Sequence, residues 1–573
     1  MSKWMVYAKK ADFDSIGKKY DIDPVIARVM RNRDVVGDKA IEMYLSDSIE
    51  AMHNPKDMKD IEKAVNIILN KIKSKVNIRI IGDYDIDGVT SVSILYKALK
   101  SAGAIVDFAV PHRINDGYGI NESLIDKAYN DGIDTIITCD NGIAAIEQIA
   151  YAKRKGMTVI VTDHHDIPFE TNDGEKAYIF SEADATVNPK QPDCGYPFKK
   201  LCGAAVAYKL VEIIYERLGL PKEDLEEYRQ LAAVATIGDV VDLTDENRLL
   251  VKYGLSTMKT TRNVGLRRLI EECKIEIDRI SAYHIGFVIG PCLNAGGRLD
   301  TAMKAVELLT EENAARAVEK ARILKGLNDE RKNMTEKQAA LAIDLVENSE
   351  LAHDNVLVVY LPECHESVAG IIAGRLREHF YKPTLVITDA ESGAKGSGRS
   401  IEGYNMFEEL TACKSLLDKF GGHPMAAGLS LKKENIEILR KMLNERCTLT
   451  SEQLTPVTWI DVPMPVDYAS FKFVGQLKLL EPFGKGNEKP EFADRRLKVR
   501  SAAIIGKTQN VLKMKLESTS GNVVDAVMFG ASSENVPQTG SEINILYYPD
   551  INEYMGRKSL QFIVQEWKYT TVC

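Results

Sequence analysis

Short apolar runs recur through the first half of the chain, and each gives way to a turn and then to residues with helical spacing. Ile78, Ile80 and Ile81 form the first run, which stops at Gly82 before a helix-like stretch from Val89 to Leu99. Residues 104–110, 134–140 and 157–163 repeat the apolar run at the spacing of strand–helix–strand units. That repetition predicts a mostly parallel sheet with helices on both faces. Residues 1–75 read as a polar, helical lead-in with a turn at Asn54-Pro55. From Thr310 to Asn348 there is no proline and one glycine, Gly326. Such a helix would run roughly 55–60 Å and bridge two domains. A second strand–helix–strand unit follows over residues 355–388, and from about Thr455 the runs become short and alternate with period two. That last pattern suits a small antiparallel barrel or sandwich of the OB kind.

Chain length changes this picture little. A chain of 573 residues divides into about three or four domains, which we set at 1–295, 296–350, 351–450 and 451–573. The first is a parallel-sheet α/β domain with its lead-in and the second a connecting helix. A smaller α/β domain and an OB-like barrel complete the chain. Hydrophobic residues make up 45% and charged residues 27%, as in ordinary globular proteins. A net charge of −9 excludes a non-specific nucleic-acid coat but permits a local basic channel. No apolar stretch reaches the length of a membrane span. The nine cysteines are scattered with no CxxC pair, which points to a reducing cytoplasm and away from structural zinc.

Candidate chemistry lies at the ends of the apolar runs. Asp83, Asp85 and Asp87 crowd three carboxylates into one turn, which would fold only if a cation neutralised them. Asp140 ends the third run, and Asp163-His164-His165 ends the fourth. In open parallel sheets ligands bind beyond the carboxyl ends of the strands, so adjacent strands would bring these groups together. Asp239 follows a helix that closes at Gly238, where the helix dipole disfavours a carboxylate without a compensating cation. Oxygen and imidazole ligands without thiolates suit manganese, or magnesium in its place. Four or more carboxylates exceed one ion's need, and two ions about 3.5–4 Å apart would activate water for displacement at phosphorus. Further along, GPCLNAGGRLDT places Arg298 behind a flexible glycine pair. Two glycine-containing loops, residues 393–400 with Arg399 and residues 420–428 with Gly421, Gly422 and His423, join His365 and Arg375 as phosphate-binding candidates.

Together these motifs resemble the DHH phosphoesterase superfamily. Asp85-Ile-Asp87-Gly, Asp140-Asn-Gly, Asp163-His164-His165 and Gly238-Asp239 match its four signatures, and residues 421–428 match its associated second domain. GDYDIDGVTS, LNAGGRLDTA, AKGSGRSIEGYNM and LEPFGKGN are similar to the RecJ family within it, which degrades single-stranded DNA from 5′ to 3′ into 5′-mononucleotides in repair and recombination. The resemblance implies that Asp85, Asp87, Asp140, His164 and Asp239 hold two Mn2+ ions, with Asp140 bridging and Asp83 nearby. It implies that Asp163 orients the histidines and His165 meets the scissile phosphate, while Arg298, His365, Arg399 and His423 grip DNA phosphates. It further implies a monomer partnered by single-stranded DNA, a single-strand-binding protein and a RecQ-type helicase. The alternative within the superfamily is an oligoribonuclease or cyclic-dinucleotide phosphodiesterase, whose members usually lack the OB-like domain. Three positions depart from the pattern: Cys292 stands where many relatives carry Arg, Cys364 where they carry Trp, and Ser367 where Gly is frequent.

Overall fold

The computed structural model describes residues 2–113, 116–172, 175–532, 535–554 and 556–570, and these fall into two compact units. The first holds residues 53–239 and 254–456. Its leading sheet is parallel, in the order Ile105–Ala109, Asn77–Ile81, Thr135–Cys139, Thr158–Thr162, Ala185–Val187. The central strands are buried on both sides, as their unbroken apolar runs require. Ile81, Ile136, Val159 and Val161 pack beneath the helices Glu122–Asn130 and Ile146–Arg154. The order reverses between Asn77–Ile81 and Thr135–Cys139, the crevice where such sheets bind ligands.

The third repeat differs from expectation. Among the described residues between Thr158–Thr162 and the edge strand there is no helix; the chain instead makes a hairpin, Phe169–Asn172 with Glu175–Tyr178. The connecting helix is Ala314–Glu347, 34 residues and about 51 Å long. Residues 296–313 are not part of it: they finish the helix Gly290–Leu299 and form Met303–Leu309. The second sheet runs Leu417–His423, Ala426–Leu431, Ala394–Arg399, Thr384–Asp389, Leu357–Tyr360, parallel only between the last two. Leu357, Val359 and Val386 face Glu366–Phe380 and the end of the long helix, whereas Val358, Leu385 and Ile387 face Ile436–Arg446.

Both glycine-containing loops are therefore strands. Gly398 sits in Ala394–Arg399, where a Cβ would lie 2.9 Å from Leu385 Cδ2. Gly422 sits in Leu417–His423 at φ +150°, 2.4 Å from Ala426 O by the same measure. These glycines let strands and helix approach one another, and they lack the apolar alternation by which strands are read.

The second unit comprises the described residues of 2–52, 240–253 and 457–570. The lead-in is thus divided: Lys3–Val6 pairs in parallel with Val457–Ile460, and Ile26, Met30 and Tyr44 share one core with Val466, Phe473 and Phe492. Phe492–Ile505 pairs with both Val511–Glu517 and Glu542–Tyr554. The ladder continues through Val523–Phe529 and Arg557–Tyr569, the last two joined in parallel, so it is not wholly antiparallel. Among the described residues no helix is long and apolar enough to cross a membrane.

Candidate metal centre

The turn after Asn77–Ile81 closes tightly because of two glycines. A Cβ at Gly82 would fall 2.3 Å from Val92 Cγ2, and one at Gly88 would fall 2.4 Å from Asp83 O. Asp85 caps the helix Ile86–Ser101, its Oδ1 accepting from the N–H groups of Asp87 (3.0 Å) and Gly88 (3.1 Å). Asp87 reaches across to the start of Gly203–Leu218, accepting from Gly203 N (2.6 Å) and Ala204 N (2.7 Å). Gly203 is needed there, since a Cβ would lie 2.7 Å from Asp140 Cβ.

Asp140 adopts a left-handed backbone, φ +59°, which Asp tolerates better than most residues. Asn141 fixes this turn by donating to Ile81 O (3.1 Å) and Cys139 O (2.9 Å) and accepting from Ile120 N (3.2 Å). Asp239 caps the C-terminus of Leu225–Gly238.

These elements bring the six metal ligands expected from the sequence, together with His165, into three overlapping groups: Asp83, Asp85 and Asp140; Asp140, His164 and His165; Asp87, His164 and Asp239. Within each group the ligand atoms lie within 4.8 Å of one another. His164 Nε2 lies 3.1 Å from Asp140 Oδ1, 3.5 Å from Asp87 Oδ2 and 3.8 Å from Asp239 Oδ2. Although so close, His164 Nε2 and Asp140 Oδ1 are buried and make no hydrogen bond among the described residues. Two buried polar atoms that face each other without a hydrogen bond are an arrangement a cation would repair. Burial and the neighbouring charge of Asp85 push the Asp83 carboxyl up to about 8. Burial and the charge of Asp87 likewise hold Asp140 well above the ordinary carboxylate range. The residues fit a divalent cation that prefers oxygen with some imidazole.

Asp163 differs from the other carboxylates. Its Oδ1 accepts from the backbone N–H groups of His164 (2.7 Å) and His165 (3.1 Å) and contacts His165 Nδ1 at 2.8 Å, while Oδ2 accepts from Ile143 N (2.9 Å). Despite burial, the hydrogen bond and charge of His165 bring its carboxyl down to about 2. Burial lowers His165, but the Asp163 bond and charge outweigh it and raise the imidazole to about 9. Asp163 therefore orients the ring of His165 but holds only the backbone of His164.

A basic cleft adjoins the carboxylates. His112, Arg113, Arg298 and His365 line a pocket of about 170 Å3. Arg298 is not behind a flexible glycine pair: it closes the helix Gly290–Leu299 and donates to Ser367 O at 2.7 Å. Gly297 is helical, and a Cβ there would strike Tyr84 O at 2.3 Å. Burial, then the like charges of Arg113 and Arg331, pull Arg298 down to about 10. His365 caps Glu366–Phe380, and its Nδ1 lies 2.7 Å from Ser367 Oγ. Burial, then the like charges of Arg377 and Arg113, lower the Arg399 guanidinium, which donates to Gly398 O at 2.7 Å. Gly421 has nothing within 4 Å of a Cβ, so packing does not demand glycine there. Cys292 packs against Cys273, sulfur to sulfur at 3.8 Å.

Sequence reasoning did not single out His112, Arg113 and Tyr118, in the loop that follows Ile105–Ala109; residues 114 and 115 of that loop lie outside the described residues. Arg113 stacks on Tyr84 at 4.6 Å. Tyr118 donates to Asp140 O at 2.9 Å, with its Oη 3.3 Å from His165 Nε2.

Two α/β units, one carrying this cluster at its strand ends, define the DHH class. The model of the DHH family N-terminal domain matches residues 77–237 and that of the DHHA1 domain residues 353–449. The model of the RecJ OB domain matches residues 460–566. The chain is 36% identical over 571 residues to the single-stranded-DNA-specific exonuclease RecJ of Bacillus subtilis (strain 168), covering 98% of this chain and 70% of that relative. It is also similar to the crystal structure of RecJ from Thermus thermophilus with Mn2+, with a TM-score of 0.83 and 25% identity over 100% of this chain and 80% of that one. The corresponding Mg2+ complex aligns with a TM-score of 0.78 and 25% identity, over 100% and 79%. The chain belongs to the RecJ family.

Proposed function

We propose that this chain hydrolyses single-stranded DNA from its 5′ end, releasing 5′-mononucleotides with the help of two manganese ions, or magnesium in their place. The observation that carries the reading is the pair of orphaned atoms, Asp140 Oδ1 and His164 Nε2, at the overlap of three ligand groups beside an arginine-lined pocket. Asp85, Asp87, Asp140, His164 and Asp239 would hold the ions, with Asp140 shared and Asp83 adjoining. When bound, such a pair supplies a nucleophile at neutral pH and neutralises charge building on the phosphate.

The chain's own residues do the rest. His165, kept protonated by Asp163, faces the reacting phosphate and donates to its oxygens as negative charge develops. Tyr118 bounds the position of that imidazole. Arg298 and His365, with Arg113, receive the terminal phosphate in the pocket, while Arg399, Arg375 and the strand carrying Gly421, Gly422 and His423 contact the backbone beyond it. The match of residues 460–566 to the RecJ OB domain counts against the short-substrate alternative. Recruitment by a single-strand-binding protein and a RecQ-type helicase in the cytoplasm belongs to the same reading.

Digestion of 5′- and 3′-end-labelled strands with Mn2+ tests it. The 5′ label should leave first as a mononucleotide and blunt duplex should persist. Early release of the 3′ label, or equal loss of duplex, overturns the reading.

A further inference from the structure

Ala282–His284, the π-helical turn Ile285–Ile289 and Gly290–Leu299 form one uninterrupted helical segment. The wider turn lies just ahead of Pro291, which has no N–H for the Phe287 carbonyl and whose ring would crowd it. Ile285, Ile289, Cys292, Leu293 and Ala295 are buried. Residues 283, 287, 291, 294 and 298 fall outside that buried face, at spacings of four, four, three and four.

Four of those five positions have distinct surroundings. Asn294 Oδ1 accepts from Ile86 N (2.8 Å), in the turn between Asp85 and Asp87. Arg298 lines the basic pocket. Tyr283 and Phe287 are 64% and 72% exposed, yet stack on each other at 5.1 Å with planes 28° apart. Along the axis, Phe287 is about 10 Å from Asn294 and about 16 Å from Arg298. The stripe thus runs from phosphate pocket through metal turn to an open aromatic pair. Two large apolar rings held in parallel in solvent have no packing purpose in the fold itself.

We propose that Tyr283 and Phe287 form a stacking platform for nucleobases of the strand on the far side of the scissile phosphate. The proposal rests on the exonuclease reading above and deepens it. Stacking on an aromatic face accepts any base but needs that base unpaired. The platform therefore favours single strands without reading sequence, and it keeps the strand in line as each nucleotide is removed.

The test uses the full chain and single-stranded oligonucleotides. In Tyr283→Ala/Phe287→Ala, KM for a long strand should rise about 5- to 100-fold, with kcat little changed. Tyr283→Trp/Phe287→Trp should keep the wild-type KM. In the metal-free protein, a 2-aminopurine placed a few nucleotides from the 5′ end should be quenched on wild-type binding and not on binding the alanine variant. Abasic nucleotides over the same positions should weaken the wild type and leave the alanine variant unaffected. Both side chains are exposed, so unchanged thermal unfolding checks the fold. An unchanged KM in the alanine variant, or equal sensitivity of both proteins to abasic sites, overturns the platform. If the wild type fails to degrade the strand at all, the exonuclease reading fails before the platform is reached.

Discussion

Asp83 and Asp140 carry the tension of the metal-free protein in their own carboxyls. Asp83, raised to about 8 by burial and by Asp85, holds a proton in the fold that it loses near pH 4 when unfolded. The folded state therefore binds more protons over that window, and stability falls as pH rises from about 4 to 8. A divalent cation takes the place of those protons, so its binding should release them. The shift in unfolding temperature caused by Mn2+ should be larger at pH 8 than at pH 6, as scanning calorimetry with and without the ion would measure. An equal shift at both would contradict the protonated cluster. Asp140→Asn keeps a side chain that tolerates φ +59° while removing the shared charge. Its cleavage rate in Mn2+ should drop by more than about 100-fold, beyond the usual loss for outer-shell changes, while metal-free strand binding by anisotropy persists. The acidic triplet, Asp140 and the two histidines were legible in the sequence because crowded charges at strand ends have few other physical solutions. Arg113 and Tyr118 were not, because nothing in the loop's composition says which of its side chains turn back over the carboxylates.

At the scale of elements, glycine was the residue whose meaning depended most on surroundings that a sequence does not display. The pair Gly296-Gly297 suggested flexibility, yet both are buried in a helix. What demands Gly297 is the backbone carbonyl of Tyr84, between Asp83 and Asp85, at 2.3 Å from where a Cβ would stand. A carbonyl cannot rotate away as a long side chain could. Gly297→Ala must push the helix carrying Asn294 and Arg298 off the turn carrying Asp85, at roughly 1–3 kcal/mol of overpacking. The expected readout is weaker Mn2+ binding together with a loss of cleavage, and unaltered values for both would show that the contact yields freely. The parallel strands, by contrast, were plain from their unbroken apolar runs. So was the long helix, whose ends alone were set differently because Asn313 caps it by accepting from the N–H groups of Ala315 and Arg316.

For the whole molecule, the OB-like unit was legible from its period-two runs, but its dependence on the first fifty residues was not. Pairings between positions more than four hundred residues apart leave no local trace. Within that unit Arg248, on the helix Asp245–Thr257, joins the three chain segments. It is 1% exposed and donates to Tyr44 O (2.6 Å), Leu479 O (2.7 Å) and Glu481 O (2.7 Å), with its guanidinium 3.8 Å over the Tyr44 ring. One side chain is thereby tied to the backbones of both the N-terminal and the C-terminal segment. Arg248→Ala would strand three carbonyls in the interior, at roughly 1–3 kcal/mol each and less than their full sum where water enters. A loss of about 3–6 kcal/mol is expected on that basis. The chain's three tryptophans, Trp4, Trp459 and Trp567, all belong to this unit. Tryptophan fluorescence during urea unfolding therefore reports on it alone, and the variant's midpoint should fall well below that of the wild type. Deleting residues 2–52 should lower it further, since Ile26, Val29, Met30 and Ile41 leave the shared core as well. If the midpoint held in the arginine variant but fell in the deletion, apolar burial would be what binds the segments and the guanidinium only an accessory to it.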